Sequence, residues 1–240
     1  MASLIKSRAK SNSIYDFPIV VSIDGVSKKL SIREYFQTTG LNQLPKALLI
    51  SNMKEDDPSS RLSIPQFIDL TTEFPSLCVI LIPTDQGYFE PDTSDLIRAK
   101  LNKEYGFGGY GKDNNKNSKY QQQVVTDKID WLGKPSLEFV TGWLEDVLPS
   151  PTDNSRGVRG NYEKFLVDGR SGLPVRRYPK GYEPRLIGKD LKTLLGGNDF
   201  DFDEGLGPAS SDWLEWWRME IESSKSDTYR FQKGLNYFDY

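Results

Sequence analysis

Any chemistry in this chain must be built from a restricted set of side chains, because its 240 residues include one cysteine, Cys78, and no histidine. Without imidazole there is no Ser-His-Asp or Cys-His nucleophile, no histidine-ligated zinc and no ordinary neutral-pH proton shuttle. One cysteine excludes an internal disulfide, a Cys-x-x-Cys redox pair and a cysteine-rich metal site. Carboxylates, lysines and tyrosines remain. Glu55-Asp56-Asp57 follows a short apolar run, where carboxylates cap a helix N-terminus as readily as they serve a reaction. Asp199, Asp201, Asp203 and Glu204 alternate with phenylalanines but lack the glycine and distal glutamate of a calcium loop, so they read as a solvated acidic linker. Gly106, Gly108 and Gly111 match Gly-x-Gly-x-x-Gly, yet a helix precedes them and a polar loop follows, the reverse of a dinucleotide site. No cofactor and no metal are expected.

Charge narrows the partners. A net charge of -3 from 31 basic and 34 acidic residues, with no dense Lys/Arg block, argues against nucleic acid. No run approaches the roughly 18 apolar residues that span a bilayer, so no transmembrane segment is expected. Met1–Ser13 carries Lys6, Arg8 and Lys10 without an acid. It resembles the end of a chloroplast or mitochondrial transit peptide, and the plainer reading is a flexible basic N-terminus over residues 1–12. A soluble intracellular protein is expected, with its compartment left open.

The elements that would position any site follow from periodicity. Ile19–Ile23 and Lys28–Ile32 around Asp24-Gly25 predict a β-hairpin, since Asp-Gly supplies the positive-φ turn. Lys46–Asn52 and Leu77–Ile82 are short apolar runs that predict strands buried on both faces. Ser63–Phe74 joins them as a helix with Pro65 in its first turn. A helix over Thr93–Glu104, capped by Thr93 or Ser94 and stopped by Gly106, turns Leu96, Ala99 and Lys100 inward. Residues 107–123 read as an inserted surface loop. Pro135–Leu148 predicts a helix with Trp143 on its buried side, Tyr162–Val167 and Val175–Tyr178 a strand pair, and Ile187–Leu195 a helix stopped by Gly196-Gly197.

Several ordered segments then carry a resemblance. Ser13-Ile14-Tyr15-Asp16-Phe17 and Asn161-Tyr162-Glu163-Lys164-Phe165-Leu166-Val167 are close to the "SIYDF" and "WNFEKFLV" segments of the glutathione peroxidase family. Asp127–Gly133 is similar to "DKVDVNG", and Ile82–Pro91 to "FPCNQFGxQEP". The resemblance implies a thioredoxin-like α/β domain over residues 13–197, with a central sheet flanked by helices, an N-terminal hairpin, an insertion at 107–123 and an extension at 198–240. It also assigns the catalytic tetrad. Aligning on Asn52 puts Asp57 at the peroxidatic cysteine or selenocysteine, Gln86 at the glutamine, Gly160 at the tryptophan and Asn161 at the asparagine. Thr84 stands where the second motif has cysteine, and Thr93–Glu104, where a resolving thiol belongs, has none. Cys78, at the start of a strand, is expected near the opposite edge and buried.

These departures predict a catalytically inactive member of the fold that acts as a structural or docking subunit of a larger protein assembly. The alternative is a glutathione- or thioredoxin-dependent hydroperoxide reductase using a non-standard site at Cys78. The extension supplies the expected contact: Asp212 and Glu215 suit a helix start, and Trp213, Trp216, Trp217, Ile221, Phe231 and Phe238 are the expected partner-binding residues. The competing reading is that the extension folds back over its own domain.

Overall fold

The two apolar runs become the central strands of the molecule. β3 (Ala47–Met53) and β4 (Leu77–Pro83) are buried along their whole length and pair in parallel, with Ala47 opposite Leu77 and Met53 opposite Pro83. Alternation explains their composition: Leu48 and Ile50 enter one core layer, while Ala47, Leu49 and Met53 enter the other. A strand covered on both faces admits polar residues only where they find partners, as Ser51 and Asn52 do at the carboxyl end of β3. The computed structural model describes residues 2–10, 12–39, 44–84, 93–108, 122–129, 140–151, 154, 156–158, 160–196 and 213–222.

The main sheet runs β5-β4-β3-β6-β7, where β5 is Gln123–Val125, β6 is Lys164–Asp168 and β7 is Leu173–Tyr178. β5 is parallel to β4, whereas β6 runs antiparallel to both β3 and β7. One face carries α3 (Ser60–Glu73), α4 (Ser94–Tyr105) and α6 (Gly188–Leu195). The other carries α5 (Val140–Val147), α2 (Ile32–Thr38) and a separate hairpin of β1 (Pro18–Ile23) and β2 (Val26–Ser31). Asp24 and Gly25 both take positive φ in that hairpin's turn, as the dipeptide predicts. Thr93 caps α4, and Gly106 ends it in the left-handed region.

Five expectations are corrected. Within the N-terminus expected to be flexible over residues 1–12, Ala2–Ala9 instead form α1, which packs against β7 and α5 through Ile5 and Ala9, four positions apart. α3 begins at Ser60, so Pro65 sits inside the helix rather than in its first turn and leaves the Arg61 carbonyl without its usual donor. α4 buries Ile97 and Leu101, while Leu96 stays exposed and Lys100 reaches Glu55. Phe107 is fully buried and Gln123 begins β5, so neither belongs to the insertion, whose residues 109–121 lie outside the described residues. Finally, residues 213–222 form a helix, α7, whose Trp213 and Trp217 enter the same core layer as α3 and α6. Those two indoles serve the chain's own core, because burying such large apolar rings against the sheet is worth several kcal/mol, about 25 cal/mol per Å². The expectation for Pro135–Leu148 holds over α5, and Trp143 packs on Phe17 with ring centroids 4.8 Å apart.

The Ser13–Phe17 segment acts as a staple. Ser13 and Asp16 form a reciprocal capping box, and the Tyr15 hydroxyl donates to the Gly169 carbonyl at 2.7 Å. Burial first, with Cys78 and Asp168 adding to it, pushes the Tyr15 phenol up and keeps it a neutral donor. Gly169 lies so close to the backbone of Pro45 and Lys46 that a Cβ would collide with the Pro45 carbonyl oxygen. Gly169→Ala should therefore destabilise the protein by about 3 kcal/mol, read as a lower urea midpoint with an unchanged m-value.

Candidate functional site

The carboxyl end of β3 organises the candidate site. Asn52 is clamped to the turn before β6: its Nδ2 donates to the Gly160 carbonyl at 2.8 Å, and its Oδ1 accepts from Glu163 N at 2.9 Å. Its own carbonyl accepts from Tyr162 N at 2.9 Å. Tyr162 takes φ +65°, an uncommon conformation for a bulky residue, and is held there by the surrounding structure. Its hydroxyl meets Ser60 Oγ at 2.6 Å, its ring stacks on Phe67, and Ser60 Oγ donates to the Lys54 carbonyl. Full burial drives the Tyr162 phenol well above its ordinary range.

This frame brings together residues about a hundred positions apart in sequence. Asp57 Oδ1 accepts from Ser59 N at 2.8 Å, a local Asx turn, and Asp57 Oδ2 accepts from Asn161 Nδ2 at 2.9 Å. Asp57 and Asn161 are therefore direct partners, and Gly160 adjoins them. Gln86 lies outside the described residues. Thr84 is fully buried and donates its N–H to the Met53 carbonyl at 2.9 Å, a structural role. A Cβ on Gly160 would approach Lys180 Cδ to 2.8 Å, so the aliphatic stem of Lys180 lies where a larger residue would sit.

Two ion pairs edge the loop. Lys54 is fully buried and its Nζ lies 3.3 Å from Asp56 Oδ1, while Lys100 Nζ lies 3.0 Å from Glu55 Oε2. Sequence reasoning did not single out Lys54, Tyr162 or Lys180: a lysine carries no sign in the sequence that it will be enclosed, as Lys54 is, and the meeting of Tyr162 with Ser60 and of Lys180 with Gly160 is set by the fold. Among the described residues no three His, Cys, Asp or Glu side chains group closely enough to hold a metal ion.

Chemically the site is an acceptor held by an amide. A carboxylate at Asp57 can take a proton or a hydrogen bond, but it has no lone pair that a hydroperoxide oxidises by two electrons, as a thiolate does. The thiol lies elsewhere. Cys78 is the second residue of β4, opposite Leu48, and Asp57 lies beyond Met53, which pairs with Pro83. Five strand steps separate the two ends, roughly 16 Å. Cys78 is 2% exposed, and burial pushes its thiol far above its ordinary range.

Asp57→Ala would leave the buried Asn161 amide without its acceptor. Among the described residues Asn161 Oδ1 already has no partner, so the variant should lose about 1–3 kcal/mol, visible as a lowered melting temperature. Asp57→Asn should recover part of that loss, because its side-chain oxygen still accepts from Asn161.

No protein-family model matches the sequence, and no curated protein does so at a significant level. Solved structures do match. The apo-form crystal structure of Trgpx is 18% identical, with a TM-score of 0.50 over 78% of this chain and 97% of that one. The crystal structure of T. cruzi GPX1, a glutathione peroxidase, is also 18% identical, with a TM-score of 0.51 over 79% of this chain and 100% of that one. Their length is spanned almost entirely, so the likeness covers a whole fold and not a fragment. With its five-stranded mixed sheet, flanking helices and N-terminal hairpin, this chain has the thioredoxin-like fold of these glutathione peroxidase structures.

Proposed function

We propose that this protein is a catalytically inactive glutathione-peroxidase-like chain that serves as a structural or docking subunit of a larger assembly. The observation that carries the reading is the pairing of Asp57 with Asn161 at the carboxyl end of β3, with the thiol of Cys78 buried at the other end of the sheet. Peroxide reduction by this fold begins when a thiolate attacks the O–O bond, takes the terminal oxygen as sulfenic acid and releases the alcohol. Asp57 offers no sulfur to that step. Cys78 would have to leave a two-sided core to reach a substrate, and its raised pKa leaves little thiolate at neutral pH.

Docking rests on the extension, with its anchors reassigned. Trp213 and Trp217 are taken up by the core, whereas Trp216 and Ile221 are half-buried and Met219 is 56% exposed on the outer side of α7. Phe231 and Phe238 lie outside the described residues, downstream of that helix. Other protein subunits are the proposed partners, and the contact is proposed to begin at the outer side of α7 and continue through residues 223–240.

Three measurements test this. Purified protein should show no hydroperoxide turnover with glutathione or thioredoxin, and Cys78→Ser should change nothing. Cys78 should label with iodoacetamide at pH 7 only after unfolding; rapid labelling of the folded chain with sulfenic acid formation would favour the thiol peroxidase instead. In native extracts the protein should migrate above its own 27.3 kDa, and a chain ending at Glu222 should leave that complex with its melting temperature intact. Cutting before Trp213 is not an equivalent test, since it removes part of the core.

A further inference from the structure

α7 is seated on charged groups as well as on apolar ones. The turn 179–182, which follows β7, is held from two sides. Beneath it Lys164 is fully buried, and its Nζ donates to the carbonyls of Pro179 at 3.2 Å, Lys180 at 2.8 Å and Tyr182 at 2.6 Å. Above it Trp216 packs edge-on against Tyr182, and the Glu220 carboxylate accepts from the Gly181 N–H. A Cβ on Gly181 would come within 3.1 Å of the Trp216 ring, so helix and turn are in close register.

β7 is the last strand of the sheet, and α7 covers it. Trp213 Nε1 donates to the Arg177 carbonyl at 2.9 Å, and the Arg176 guanidinium lies 5.4 Å from the Trp213 ring. The Arg177 guanidinium is stacked between Phe165 at 5.1 Å and Trp217 at 5.4 Å, and pairs with Glu163 at 2.6 Å. Lifting α7 would therefore bring water to Glu220 and the Arg177–Glu163 pair, and would strip the turn 179–182 that covers Lys164 of its outer hold.

We propose that α7 is a releasable strap over the edge of the sheet, gripping the turn 179–182, and that its hold passes through a minimum near neutral pH. Two buried groups of opposite kind produce that minimum. Burial pushes Lys164 down to about 7, even against the pull of Glu163, Glu220 and Glu183. Once water reaches it, Lys164 returns towards about 10.4 and takes up a proton on release. The seated state consequently gains on the released one as pH rises above 7. Glu220 works the other way. Burial raises it and Glu163 adds to that, while Lys180, the Gly181 N–H and Lys164 oppose. Release lets it lose a proton, so the seated state gains as pH falls below its raised value.

The other charges facing this seat are accounted for. Arg176 is held by both oxygens of Asp190, which also accepts from Tyr178. Glu145, which burial raises to about 7 against the opposing Arg177, accepts from Val158 N on the α5 side of Arg177 and is not part of the strap's contact. Glu215, Arg218 and Glu222 of α7 itself are exposed.

The test is hydrogen exchange of the full chain from pH 5.5 to 9, corrected for intrinsic rates and followed separately for 213–222 and β3. Protection of 213–222 should be lowest near pH 7 and rise about tenfold by pH 8.5, while staying below that of β3 throughout. Lys164→Met should flatten the alkaline limb and Glu220→Gln the acid limb, each leaving the other in place. Should Lys164→Met fail to fold, the wild-type profile and Glu220→Gln still decide the matter. A flat profile, an acid limb unchanged in Glu220→Gln, or protection of 213–222 equal to that of β3 at every pH would overturn the proposal.

Discussion

The buried pair of Arg177 and Glu163 is the constraint around which the second half of the molecule is arranged. Both side chains are essentially sealed from water, at 1% and 0% exposure. Two enclosed charges lose several kcal/mol of hydration each and persist only when every donor and acceptor is met. Here the guanidinium also donates to the carbonyls of Leu148, Arg156 and Gly157, and both its faces are covered by aromatic rings. The loop after α5, the β6–β7 pair and α7 are thus tied to one side chain. This explains why a C-terminal extension that the sheet does not need for closure still folds onto it: Trp217 supplies the outer wall that keeps the pair dry.

The candidate site depends on a second clamp, the three hydrogen bonds of Asn52, which fix Asn161 beside the loop after β3. This frame holds a carboxylate, Asp57, at its centre. Retained geometry therefore says little about retained chemistry, because the clamp is made by backbone groups and amides, which never take part in electron transfer. Thiol chemistry needs sulfur, and here Asp57 presents oxygen while Cys78 is buried at the other end of the strands.

Much of the fold was legible in sequence where local rules and tertiary environment agree. β4 and the first four residues of β3, Ala47–Ile50, are apolar because they are covered on both faces, the Asp24-Gly25 turn needs positive φ, and Thr93 and Gly106 mark the ends of α4 by their caps. Legibility failed where burial was not written in the pattern. Leu96 is as apolar as Ile97 but points outward, since the face of α4 that meets the sheet is the one carrying Ile97 and Leu101, four positions apart. α1 was missed because lysine, arginine and serine residues interrupt its apolar positions, Ile5 and Ala9 among them, and the segment reads as a basic terminus. Phe107 was lost in a glycine-rich context that hid one fully buried ring.

The sequence by itself determined the class of the fold, its two central strands, the presence of a single thiol and the burial of that thiol. It also aligned Asp57, Gly160 and Asn161 with one pocket. Only the tertiary structure decided that Asp57 and Asn161 bond to each other, that Lys180 lies over Gly160, and that two of the tail's three tryptophans face inward. Those outcomes depend on which distant groups meet, and on whether a charge such as Lys164, Arg177 or Glu220 finds enough partners to leave water. No local spacing encodes that balance between hydration and enclosed hydrogen bonds, so it appears only when the chain is folded.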